Sequence, residues 1–410
     1  MKKLLKKRMN IGIITVCLLL VGILFYLPVY QFIVLDTDGK QLTGTAAIAM
    51  NREFVNTCAG RLTDEKICAD IAAYQALFHD PENVSKDTTK KTLTDRAYFK
   101  YILPYSDYWK LINGNYIDPC AYDSSFSAVI NMDLENGIDF YSARDKKIST
   151  LLNQVYEDWN FSDSEKAFWL DRISSVTIPY EYGYHTGWEM LFSCLELFAI
   201  GMIGICICVS GTFSGEYQSG ADSIILSSRY GKSKLLTAKI LAAFAYSFFL
   251  FTLFLLVGCG ILLAGFGMDG WELPVQVLNT ISPYDLSLAG AAVTAVGTLY
   301  LILAGMVSFT LLLSAKMRSA VSVLVIIVLA FMLPMFIGIS ETNGIWNRIF
   351  VLLPYRAAQT VFSDDFYGYF GYPIGGLTFD VVTVRMLLYA AVTLICVPFA
   401  RKAWKGHQVV

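Results

Sequence analysis

Long runs without one charged residue constrain this chain more than anything else in it. Met9 to Leu35, Ile240 to Met268 and Leu286 to Ala315 contain no Asp, Glu, Lys or Arg. A membrane-spanning helix needs about 20 mostly apolar residues, so each run is long enough to cross a bilayer. Ser319 to Ser340 makes a further span. Trp188 to Gly211 makes another if Glu189 sits at the interface and Glu196 is tolerated. Val381 to Ala400 makes the last, interrupted only by Arg385. At 410 residues a soluble chain would divide into two or three domains, but only 16% of this one is charged and 55% is hydrophobic. An average globular chain carries about 25% charged residues. The expected fold is therefore an all-α polytopic membrane protein, with six transmembrane helices and a mainly helical extracytoplasmic domain inserted between helices 1 and 2.

The first span follows a basic start, Lys2, Lys3, Lys6, Lys7 and Arg8, as a signal peptide would. Its apolar run exceeds the 7–15 residues of a signal core, and no A-x-A site follows, so it reads as a retained anchor. Short segments rich in Lys and Arg stay on the cytoplasmic side. The basic segments are the N-terminus, the loop with Arg229, Lys232, Lys234 and Lys239, the turn with Lys316 and Arg318, and the tail with Arg401, Lys402 and Lys405. Residues 269–285 have no Lys or Arg, and residues 341–380 have only Arg348 and Arg356. The alternation predicts a plasma or inner membrane protein with both termini cytoplasmic. Its parts are residues 1–35 (basic N-terminus and first span), 36–185 (outer domain) and 186–410 (spans 2 to 6).

The 36–185 segment carries 15 Lys/Arg against 23 Asp/Glu. Leu62, Ile67, Ile71, Tyr74 and Leu77 recur at helical spacing after Thr63, and Ser162 to Glu165 spells a capping box. Tyr101, Tyr105, Tyr108, Trp109, Tyr116 and Tyr122 suit an aromatic interior or a contact surface, and Asn113-Gly114-Asn115 signals a turn. Cys58, Cys68 and Cys120 permit one disulfide in an oxidising compartment, with the pairing open.

The loop between spans 2 and 3 carries the most informative residues. From Glu216 a short amphipathic helix is expected, with Tyr217, Ala221, Ile224, Ile225 and Ser228 on one face. Glu216, Gly220, Leu226, Ser227, Arg229, Gly231, Lys232 and Lys239 follow a loose order of acid, Gly, Leu-x-Ser, then Arg, Gly, Lys and a closing Lys. This order resembles the corresponding loop in permease subunits of ABC-2-type ATP-binding-cassette transporters, in the branch with a large insert between the first two spans. The six-span layout extends the resemblance over the whole chain. So does a Pro-centred segment, Ile345 to Gln359 with Pro354 and Arg356, which in relatives dips back into the outer leaflet.

The resemblance implies that a separate ABC ATPase docks on the 212–239 loop. Glu216, Arg229, Lys232 and Lys239 would be coupling residues, and Gly220 and Gly231 would set turns. ATP and Mg would sit on that partner, with no cofactor or metal on this chain, and two permease copies or a heterodimer would work together, most naturally as an exporter. Glu196, about 12 Å into span 2 at 1.5 Å per residue, is either a lining residue of a transport pathway or a snorkelling carboxylate. The alternative function is a membrane-anchored ligand sensor or immunity protein without transport.

Other chemistries find little support. Gly231-Lys232-Ser233 resembles the end of a Walker A motif, but position 226 is Leu226 where that motif needs Gly. There is no G-x-S-x-G or H-E-x-x-H. His79 and the pairs Glu157-Asp158 and Asp364-Asp365 read as exposed turn or loop groups, and His185 as an interfacial residue. A net charge of −2 excludes a strongly basic nucleic-acid binder, and no basic stripe appears outside the membrane flanks.

Overall fold

The computed structural model describes residues 2–85, 92–119, 126–135, 137–155, 160–336, 344–359 and 363–407. Cys120, Tyr122, Glu157 and Asp158 lie outside the described residues, as does the side chain of Asp364. The chain is mostly helical. Among the described residues, five helices are long and apolar enough to cross a membrane: Arg8–Gln31, Thr186–Ser219, Lys234–Phe266, Leu288–Lys316 and Val381–Gly406. The segment expected as another span, Ser319 to Ser340, contains a shorter apolar helix, Ala320–Phe336. It starts where the Ser319 hydroxyl accepts the Ser322 N–H, and at 1.5 Å per residue it is about 25 Å long.

Burial separates a centre from a periphery. In the most apolar stretch of Thr186–Ser219, 67% of residues are buried, and in Leu288–Lys316 61%, against 17% in Arg8–Gln31. These two helices pack on each other, and Val381–Gly406 lies along Leu288–Lys316. Arg8–Gln31 lies against Lys234–Phe266 and presents Val16, Leu19, Ile23 and Tyr26 outward. Small residues admit the close approaches: Gly258 receives the rings of Phe198 and Phe25, and Gly305 receives Tyr389.

The fold is not purely helical. Among the described residues there are three antiparallel two-stranded pairs: Ile33–Leu35 with Gln41–Thr43, Gly60–Arg61 with Glu181–Tyr182, and Gly371–Ile374 with Leu377–Asp380. The second pair brings the start and the end of the 36–185 segment side by side. Between them, the Asp64–Ala76 helix begins at Thr63, whose hydroxyl accepts the Lys66 N–H, and buries Ile67, Ile71 and Tyr74. Ser162 and Glu165 close the capping box of Asp163–Ser174. Tyr74 stacks on Trp109 at 4.6 Å. Asn113 and Gly114 form the last turn of the Ser106–Gly114 helix, and the Asn113 side chain accepts the Val129 N–H. Cys58 and Cys68 are both free.

This segment is seated on the ends of the long helices. Arg52 donates to the Phe266 carbonyl at 2.8 Å and pairs with Asp269 at 3.0 Å. Tyr184 donates to the same carbonyl at 2.9 Å. Ion pairs continue the contact. Glu165, wholly buried, meets Arg348 at 3.1 Å, and Arg172 meets Asp380 at 2.9 Å. Asp365, expected as a solvated loop carboxylate, is instead buried against Arg385, the one charge in the last apolar run. Arg385 also donates to the Val351 carbonyl at 3.1 Å. A guanidinium at that depth would cost several kcal/mol unpaired, and the carboxylate removes most of the penalty.

Candidate functional site

The site forms where Thr186–Ser219 gives way to Lys234–Phe266. The first of these helices does not stop at residue 211 as expected but runs to Ser219. Gly220 then takes φ +68°, a left-handed conformation that terminates the helix and that a side chain disfavours. A second short helix, Ala221–Ser227, follows. The single amphipathic helix expected from Glu216 is therefore two pieces, and its faces differ from the expected ones. Glu216, Asp222 and Leu226 are buried, whereas Ile224 is 75% exposed. The chain turns back through Ser228 to Ser233. Gly231 is required there because a Cβ would collide with the Ile225 carbonyl.

Electrostatics and aromatic packing root this hairpin. The Glu216 carboxylate accepts from the Lys239 ammonium, with side chains only 9% and 15% exposed. The ammonium also lies 4.8 Å from the ring centre of Trp404 and 5.5 Å from that of Phe213, where cation–π attraction adds to the ion pair. Trp404, wholly buried near the end of Val381–Gly406, stacks on Tyr217 at 5.4 Å and donates its indole N–H to the Gly231 carbonyl at 3.2 Å. Tyr217 faces His407 at 4.2 Å, and His407 Nε2 lies 3.1 Å from Asp222 Oδ2. Tyr217 donates to the Ala315 carbonyl at 2.9 Å. The Ser314 hydroxyl accepts the N–H groups of Phe213 and Ser214 at 3.0 and 3.1 Å. Four long helices and the short Ala221–Ser227 helix thus converge on one buried polar and aromatic knot.

The sequence-derived residues divide accordingly. Glu216 and Lys239 meet inside the knot, and Gly220 and Gly231 shape its two turns. Arg229 and Lys232 face outward, with the Arg229 guanidinium 5.3 Å from the ring centre of Tyr230. Glu196 is half-buried in a single 3-10 turn, Leu195–Leu197, inside Thr186–Ser219. That turn packs against the short helix Pro354–Gln359, so Glu196 and the Pro-centred segment, distant in sequence, share one neighbourhood. There Ala357 and Ala358 are wholly buried, and Arg356 donates to the Pro334 carbonyl at 3.2 Å and to Gln359 at 2.8 Å. His185 is buried, its Nδ1 2.7 Å from the Gly183 carbonyl.

Sequence reasoning missed Trp404, His407 and Ser314. Trp404 stands among Arg401, Lys402 and Lys405 and so reads as an interfacial aromatic. Its partner Gly231 lies 173 positions away, and no local pattern connects them.

The long apolar helices define a multi-pass membrane protein. The family described as ABC-2 family transporter protein matches residues 1–404, nearly the whole chain, and the chain belongs to that family. No curated protein and no solved structure matches it. The protein is a permease subunit of an ATP-binding-cassette transporter, a membrane component that is not itself catalytic, from a family that typically works with an ATPase subunit.

Proposed function

We propose that this permease is an exporter subunit driven by a separate ATPase that docks on the 212–239 hairpin, with ATP and Mg held by that partner. In this reading there are six spans, Ala320–Phe336 being part of the fifth. Both termini are cytoplasmic in the plasma or inner membrane, and the 36–185 segment is extracytoplasmic. Two copies, or one copy and a homologue, complete the transporter. The Lys/Arg distribution supports the orientation.

One observation carries the docking assignment. The hairpin exposes Ile224, Arg229 and Tyr230 at its tip, while Glu216–Lys239 ties its two arms together and its root is fixed to two other parts of the chain through Tyr217–Ala315 and Trp404–Gly231. A partner gripping the tip would displace the helix ends together and shift the bundle between two packings. Glu216 and Lys239 then act as positioning residues, and Arg229 and Lys232 as contacts. The packing of the Glu196 turn against Pro354–Gln359 makes these two elements the candidate lining of a pathway.

Mild-detergent purification from the native host tests the reading. A stoichiometric ATPase should accompany the wild-type chain and be lost from I224E/R229E while the variant stays folded. Recovery of the chain alone across several detergents and crosslinkers would overturn it in favour of a ligand-binding sensor or immunity protein.

A further inference from the structure

Beside the knot lies a cavity of about 580 Å³ between the start of Lys234–Phe266 and the end of Val381–Gly406. Lys232, Lys234, Arg401 and Lys405 line it together with Leu236 and Leu241. None of the four cations has a carboxylate partner among the described residues. The acids of the adjoining knot are already engaged, Glu216 by Lys239 and Asp222 by His407. The Arg401 Nε is buried and makes no hydrogen bond among the described residues. The positive end of a long helix adds to the same field. Four cations gathered around a cavity repel one another unless an anion enters it.

The wall chemistry says which anion. Leu241 is 62% exposed and stands seven residues, roughly 10 Å, along the apolar helix from Lys234. Phe248 and Phe249 continue the outward apolar surface beyond it. A soluble anion would have no use for that wall, whereas a phospholipid places a charged headgroup and an acyl chain at this separation. Basic pockets between membrane helices are a recurring way to hold anionic headgroups.

We propose that this cavity is a binding site for an anionic phospholipid. The phosphate sits among Lys234, Arg401 and Lys405, and an acyl chain lies along Leu241. A lipid held there bridges the last helix and the start of Lys234–Phe266, beside the turn that Trp404 holds through Gly231, so the composition of the leaflet bears directly on the rigidity of the hairpin root. Placing the site in the cytoplasmic leaflet rests on the orientation proposed above; the binding itself does not.

The full-length chain without ATPase, in a neutral maltoside detergent, is titrated with phosphatidylglycerol or phosphatidylcholine, and bound lipid is measured by native mass spectrometry. Phosphatidylglycerol should bind at least tenfold tighter. R401Q/K405Q should lose most of that preference, whereas K316Q/R318Q, with the same loss of charge elsewhere, should keep it. Equal binding of the two lipids, or equal loss in both variants, would overturn the proposal. So would displacement of the lipid by millimolar inorganic phosphate, which would mark a soluble-anion site. If R401Q/K405Q does not fold, a photoreactive residue at position 241 gives the same test: a phosphatidylglycerol adduct supports the site and its absence overturns it. If lipid preference survives while topology labelling places the cavity outside, the orientation fails and this proposal stands.

Discussion

The indole N–H of Trp404 donates to the Gly231 carbonyl at 3.2 Å, joining the last apolar helix to the turn that precedes Lys234–Phe266. Gly231 reaches that position only because it has no Cβ to strike Ile225. Trp404→Ala should destabilise the detergent-solubilised protein by about 3–5 kcal/mol through cavity formation. Trp404→Phe, which keeps a ring but loses the hydrogen bond, should cost about 1 kcal/mol beyond any repacking. Hydrogen exchange should quicken across residues 220–233 in the alanine variant more than elsewhere, and uniform acceleration would argue against a local role.

Glu216 and Lys239 should behave as one unit. Removing either partner leaves a charge in a poorly hydrated place and should cost about 3–5 kcal/mol, whereas removing both should be much milder. A cycle of E216Q, K239M and the double variant measures the coupling. ATPase binding should follow stability, so the double variant should bind better than either single one. Loss of binding in a stable double variant would instead make Glu216 a direct contact.

The two kinds of glycine in this region should respond oppositely to alanine. Gly220→Ala forces a side chain into φ +68° and should cost about 1–2 kcal/mol. Gly215 lies within Phe198–Ser219, and a Cβ there meets nothing within 4 Å. Gly215→Ala should leave stability unchanged or raise it by up to about 1 kcal/mol. Thermal unfolding of the two variants side by side gives the answer.

Asp365 and Arg385 should show the same pattern at the opposite end of the helices. Asp365→Asn leaves a buried guanidinium on the last apolar helix and should reduce stability by several kcal/mol. D365N/R385M should recover most of the loss. Failure of the double variant to recover would show that the Arg385 bond to the Val351 carbonyl matters more than the ion pair.

Topology follows from labelling. In a background lacking the nine native cysteines, a membrane-impermeant maleimide on intact cells should label E135C, an exposed position of the 36–185 segment. It should reach I224C only after permeabilisation. Labelling of both positions in intact cells would refute the proposed orientation.

Four of the long helices were plain in the sequence because hydrocarbon exposure demands length and apolarity, which are local properties. The start of Asp64–Ala76 and the capping box of Asp163–Ser174 were equally legible, since a cap needs only residues three positions apart. The second long helix was placed but ended too early: residues 212–219 carry enough polar groups to read as a loop, yet burial against Ser314, Ala315 and Trp404 keeps them helical. Asp365 shows the limit from the other side. Its composition and neighbours say solvent, and only Arg385 reaching it through the fold makes it a buried ion. The sequence by itself determined that this chain lives in a membrane and, through its loop residues, which family it resembles. Tertiary structure decided which charges are buried pairs and which face outward, because burial and pairing depend on contacts between segments up to about two hundred residues apart, and periodicity carries no record of those.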